Sequence, residues 1–117
     1  MKAEIKSWYS TDVDITSYQS QDPSNDAVWV RILCGPLGQP GEESFDILVC
    51  TPDSLKPELE PGAPRIGRHI LLQGRLDLPA AYRFIDEYVT SVEGRDWTEV
   101  AEKISRLGKW EFDDYRA

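Results

Sequence analysis

The chain has 117 residues, the size of one domain of about 100–150 residues, and leaves no room for two cores of useful size. An apolar content of 40%, with four Trp, five Tyr and three Phe, excludes disorder as a description of the whole chain, and no apolar run approaches the roughly 18–20 residues that a membrane helix needs. Thirteen Lys and Arg against 21 Asp and Glu give a net charge of −8, which disfavours phosphate backbones as ligands and suits basic partners, although solubility alone also accounts for acidity.

Residues 1–6 carry two lysines and a glutamate and lack the apolar stretch of a signal peptide, so the expected location is the cytoplasm. Residues 2–9 alternate with a period of two, Ala3, Ile5, Ser7 and Tyr9 on one face and Lys2, Glu4, Lys6 and Trp8 on the other, which predicts a first strand. Residues 10–26 are rich in Ser, Thr, Asp and Gln and form a long polar loop anchored by Val13, Ile15 and Tyr18; loops of this length are often functional. A second strand over 27–34 places Val28, Val30, Ile32 and Cys34 inward and ends at Gly35-Pro36. After turn-forming residues, a third strand over 44–50 places Phe45, Ile47 and Val49 inward, completing a hairpin. A turn centred near Gln39 sets Cys34 opposite Phe45 and Cys50 near Trp29, too far apart for a disulfide, and both thiols are expected in the core.

Thr51 and Pro52 are suited to the cap and first position of a short helix that Pro57 or Pro61 stops. The short apolar run within 66–73, flanked by Gly67 and Gly74, predicts a fourth strand. The period then changes: Ala81, Ile85, Tyr88, Val89 and Val92 recur at helical spacing until Gly94. Asp96 with Glu99 three residues on caps a second helix, whose stripe of Trp97, Val100, Ile104 and Leu107 closes at Gly108. The aromatic tail 109–116 is either a last strand or a segment folded back on the sheet. The fold class is α+β: an antiparallel sheet of at least four strands with a C-terminal helical hairpin packed on one side.

Catalytic signatures are sparse. There is one histidine, His69, in an apolar run with no evident triad partner, where a structural role outweighs that of a general base. The adjacent pairs Glu42-Glu43 and Asp113-Asp114 point to different sides and are poorly disposed for two roles on one substrate, and the run around Asp12 and Asp14 lacks the glycine and distal glutamate of a calcium loop. The cysteines form no metal-ligand spacing, so neither a metal, a cofactor nor a catalytic residue is assigned. A binding surface remains. Trp8 and Trp29 fall on the strand faces opposite the best apolar alternation, where they serve either as interface anchors or as residues buried beneath a helix.

Four stretches carry a resemblance to a known family: Met1-Lys2-Ala3-Glu4-Ile5-Lys6-Ser7-Trp8-Tyr9-Ser10; Glu43-Ser44-Phe45-Asp46-Ile47-Leu48-Val49-Cys50-Thr51-Pro52; Ile66-Gly67-Arg68-His69; and Trp97-x-x-Val100-Ala101-x-Lys103-Ile104-x-x-Leu107-Gly108-x-Trp110-Glu111-Phe112. In order and spacing these resemble the immunity protein 8 family over nearly the whole chain. The resemblance implies a small cytoplasmic antidote that binds a cognate toxin domain of a polymorphic toxin system and protects producer or kin cells in bacterial competition. It supplies no interface residues. Charge does: Asp12, Asp14, Asp22 and Asp26 of the long loop are the first partner-binding candidates, Glu42 and Glu43 of the hairpin a second patch, and Trp110, Asp113 and Asp114 a third. The expected partner is a toxin domain, such as a nuclease with a basic cleft, inhibited stoichiometrically without turnover. An adaptor domain unrelated to toxins is the alternative, and a small hydrolase using His69 is third.

Overall fold

The computed structural model describes residues 1–113. In chain order the elements are β1 (Ala3–Tyr9), β2 (Ala27–Pro36), β3 (Glu43–Cys50), α1 (Pro52–Leu55) with a 3-10 turn after it (Lys56–Glu58), β4 (Ile70–Leu72), α2 (Leu78–Ser91), α3 (Trp97–Ile104) and β5 (Lys109–Trp110). The sheet runs β1-β2-β3-β4, and β5 also joins β3. Its pairings are antiparallel except for β4, which lies parallel to β3. The two short strands share one edge of β3: β4 takes Leu48 to Cys50, and β5 takes Phe45 and Asp46. Of the aromatic tail, Lys109 and Trp110 form a strand and residues 111–113 a turn; residues 114–116 lie outside the described residues.

The hairpin of β2 and β3 carries the core. Its inward residues Val28, Val30, Ile32, Cys34, Phe45, Ile47 and Val49 are buried, and the helices lay Leu78, Ala81, Ile85, Val89, Val100, Ala101 and Ile104 against them in one cluster. The last helix starts at the Asp96 cap that the sequence predicts, and Asp77 caps α2 in the same way. The Asp77 carboxylate accepts from the Ala80 N–H at 3.0 Å and the Asp96 carboxylate from the Glu99 N–H at 2.9 Å, each satisfying a donor that a helix N-terminus leaves unpaired. Tyr88 links the pair by donating its hydroxyl to the Lys103 carbonyl at 3.2 Å.

Besides the parallel β4 in a sheet expected to be antiparallel, three details depart from the sequence reading. The hairpin register sets Cys34 opposite Glu43 and Cys50 opposite Ala27, two residues from the expected pairing, because β2 continues through Gly35 and Pro36 instead of stopping there. An even shift leaves every side chain on its expected face, and the two thiols lie toward opposite ends of the hairpin. Burial pushes the Cys34 thiol up to about 12, with Asp86 adding to it, so it stays protonated. In β1, the pairing jumps from Ile5–Cys34 to Ser7–Leu33, leaving Lys6 as an extra residue. That bulge reverses the alternation beyond it. Trp8, which simple alternation sends outward with Glu4, pairs with Ile32 and packs on the core, its ring edge-on to Tyr82 at 5.1 Å. Finally, Thr51 precedes α1 but makes no side-chain cap; its hydroxyl oxygen instead accepts from the Asp26 N–H at 3.2 Å.

The long loop is held at both ends. Val13, Ile15 and Tyr18 pack on the core, the Thr51 N–H donates to the Asp26 carbonyl at 3.0 Å, and the Leu76 N–H donates to the Pro23 carbonyl at 2.7 Å. The start of the chain is tied to the α2–α3 connection by a Lys2–Glu93 ion pair of 3.0 Å and by reciprocal bonds between Met1 and Gly94.

At Gly35 the hairpin turns back so closely that a Cβ would sit 1.9 Å from the Gly41 carbonyl oxygen. Gly35→Ala must therefore displace backbone, and is expected to lower stability in urea denaturation by about 1–3 kcal/mol or more. A substitution within a few tenths of a kcal/mol of the parent would show that the turn opens freely.

Candidate functional site

The helices cover one face of the sheet, and the other face is where a partner can reach it. An open antiparallel face is ordinarily polar. Here a row of apolar side chains crosses three adjacent strands: Trp29 on β2 lies opposite Leu48 on β3, which lies opposite Ile70 on β4. The segment after β3 folds over this row and contributes Leu55, Leu59 and Ile66, so that the six line a groove of about 490 Å³. Trp29 is 46% exposed, Leu59 49% and Ile66 83%. Of the two tryptophans that strand alternation sends outward, the β1 bulge takes Trp8 inside and Trp29 remains at the surface. The row itself went unread in the sequence, although Leu48 and Ile70 are the apolar exceptions at outward positions that could have signalled it.

On the same face Arg31 and Asp46, paired across β2 and β3, form a two-pronged ion pair of 2.7 and 3.0 Å, which raises the guanidinium further above its already high range. Asp12 is exposed and borders a shallow depression with Trp29, Arg31 and Asp46.

The remaining predicted residues are scattered. Asp14 and Asp22 are exposed on the loop, and both shape it locally: Asp14 accepts from the hydroxyl and N–H of Thr16 at 2.6 and 3.0 Å, and Asp22 from the Ser24 N–H at 3.3 Å. The Thr16 bonds hold the Asp14 carboxyl below its ordinary range. Asp26 accepts from the Tyr18 hydroxyl and from the Ala27 N–H. Burial acts to raise its pKa, but the hydroxyls of Ser20 and Tyr18 and the Ala27 N–H outweigh it and hold the carboxyl below the ordinary 3.8. Glu42 is exposed beside the hairpin turn. The loop acids and Glu42 do not form one patch, since Asp26 precedes the Ala27 end of the hairpin and Glu42 adjoins its Cys34 end, about 23 Å away along the strands.

Glu43 and Trp110, predicted as separate contacts, meet each other. The Glu43 carboxylate accepts from the indole N–H of Trp97 at 2.9 Å through one oxygen and from that of Trp110 through the other. Trp110 also stacks on Phe45 at 6.3 Å and meets the edge of Phe112 at 5.7 Å. One carboxylate thus fastens β3 to α3 and β5. Asp113 lies 3.8 Å from the Arg68 guanidinium and 4.0 Å from the His69 ring. The His69 Nε2–H donates to the Ser105 carbonyl at 2.9 Å, and the His69 backbone adopts a φ of 61°, a left-handed conformation that histidine tolerates better than most residues. Its ring therefore joins the segment before β4 to the end of α3, in keeping with a structural role. Asp114 lies outside the described residues. Among the described residues no group of three or more His, Cys, Asp or Glu side chains is placed to hold a metal ion, and no helix is long and apolar enough to cross a membrane.

This geometry defines a small α+β domain with helices on one face of its sheet and an apolar, charge-bordered surface on the other. The family model for immunity protein 8 matches residues 3–115, nearly the whole chain. The chain belongs to that family, and so to the immunity proteins of toxin systems, which take a cognate toxin as partner. No curated protein and no solved structure matches it.

Removing the Glu43 carboxylate leaves two indole N–H groups without their acceptor. Glu43→Ala is expected to cost about 1–3 kcal/mol in urea denaturation, and Glu43→Gln, which keeps one acceptor oxygen, less. Equal losses would mean that the second indole bond carries no weight. For Asp26, a folded pKa below the unfolded one gives stability that is present above about pH 4 and lost as the pH falls through the folded value. Asp26→Asn should therefore be less stable than the parent near neutrality, with the gap in urea midpoint narrowing below about pH 4.

Proposed function

We propose that this protein neutralises the toxin domain encoded beside it by stoichiometric occlusion, without turnover, in the cytoplasm of the producing cell or its kin. The observation that carries the reading is the family assignment over residues 3–115. The net charge of −8 supports the rest: an acidic antidote approaches a cationic cleft faster than a neutral one, and nucleases present such clefts to bind phosphate backbones. Asp12, Asp14, Asp22 and Glu42, all exposed, are the steering charges of this proposal. Asp26, Glu43 and Trp110 act beneath them as struts that hold the loop, the hairpin and the last strand in place. Asp113, already near Arg68 and His69, contributes less.

Two measurements test the proposal. Cells expressing the neighbouring toxin domain should recover growth when this chain is expressed in trans and co-purify a 1:1 complex; absence of rescue at verified expression would overturn the immunity reading for that toxin. Changing Asp12, Asp14 and Asp22 to Lys should slow association by about tenfold or more at low ionic strength and flatten its dependence on salt. An unchanged association rate would remove the steering role while leaving inhibition intact.

A further inference from the structure

The open face of the sheet combines features that solvent exposure alone does not explain. Trp29, Leu48 and Ile70 stand in a row across three strands where an exposed face ordinarily carries polar side chains, and Leu55, Leu59 and Ile66 extend the row into a groove of about 490 Å³. That volume is within the range of sites that hold a ligand or a cluster of partner side chains. Trp29 and Ile66 remain 46% and 83% exposed, so the groove is not closed by the chain's own folding.

The charges around it say what kind of occupant fits. Each arginine near the groove is already paired: Arg31 with Asp46 at 2.7 Å, Arg65 with Glu58 at 3.6 Å and Arg68 with Asp113 at 3.8 Å. An anionic ligand would have to displace a carboxylate at every one of them. Asp12 lines a neighbouring depression that shares Trp29 with the groove, is exposed, and among the described residues has no cation within 4.0 Å. The face thus offers an apolar floor with Trp29 as its aromatic anchor and one unbalanced negative charge beside it.

We infer that this groove is the tight-binding half of the toxin interface, and that it receives a segment of the toxin domain presenting apolar side chains to the Trp29–Leu48–Ile70 row with a Lys or Arg placed for Asp12. The inference rests on the immunity function proposed above and goes beyond it, since it moves the seat of affinity from the acidic loop to the uncovered sheet. A half-exposed tryptophan over an apolar floor is the kind of residue on which interface affinity concentrates, whereas exposed acids act chiefly on the rate of approach.

Trp29→Ala and Ile66→Ser, both at exposed positions and neither altering charge, test it in the full chain, with the purified non-toxic variant of the neighbouring toxin domain as the probe and the urea midpoint as the check on folding. Each variant is expected to fold like the parent and to bind about 30-fold or more weakly through faster dissociation, with the association rate and its salt dependence retained. If the parent binds the toxin domain and the folded variants bind it equally well, the groove is not the interface and the immunity reading stands. If the parent does not bind, both readings fall together. Concentration-dependent self-association of the parent that Trp29→Ala abolishes, with toxin binding unaffected, would overturn the inference in favour of a second copy of this chain as the occupant.

Discussion

The pairing of β2 with β3 is the constraint on which the rest of the molecule depends. With Ala27 opposite Cys50 and Cys34 opposite Glu43, every second residue of both strands falls on one side, and those residues are the Val, Ile and Phe side chains that make the core. Parity then dictates the remainder. The apolar stripes of α2 and α3 have one surface to cover, and whatever stands at the alternate positions is left facing outward. Trp29 and Leu48 are outward for the same geometric reason that Val28, Val30, Ile47 and Val49 are inward. The uncovered face and the core are two sides of one hairpin, and a change of register by one residue would exchange them.

Much of this architecture was legible in the sequence because it rests on local signals. The alternation in β2 and β3 is strong, the helical stripes of α2 and α3 are clear and the second follows the Asp96 cap, and all of these elements stand close to where the sequence places them. What was not legible depends on contacts between distant segments. The bulge at Lys6 leaves no mark in the local pattern, yet it turns Trp8 toward Tyr82. The parallel pairing of β4 follows from the path of residues 51–69 over the sheet, which a run of three strand residues does not encode. At the candidate site the acids were identifiable as residue types but not as neighbours. Charge alone cannot separate Glu43, which takes up two indole N–H groups, from exposed Glu42 beside it.

The same division bears on function. A carboxylate that closes a hydrogen-bond network in its own fold is committed to it, because leaving that network strands buried donors. The exposed carboxylates of the loop bond only exposed groups of the loop itself, and their charge stays available to a long-range field. The apolar row supplies what a field cannot, a surface whose removal from water persists once a partner has arrived. In the function proposed above, the acidic balance and the uncovered sheet face would act at successive stages of one encounter rather than compete as explanations of it.

The position of β5 has a consequence for how this chain comes into being. Trp110 reaches Glu43 across 67 residues of sequence, and the strand that carries it occupies the stretch of the β3 edge that β4 leaves open. As the ribosome extends the chain, β1, β2 and β3 can pair early, but the Glu43 carboxylate stays without its second indole until Trp110 emerges. Completion of the sheet therefore waits for Trp110, long after the first three strands are available to pair.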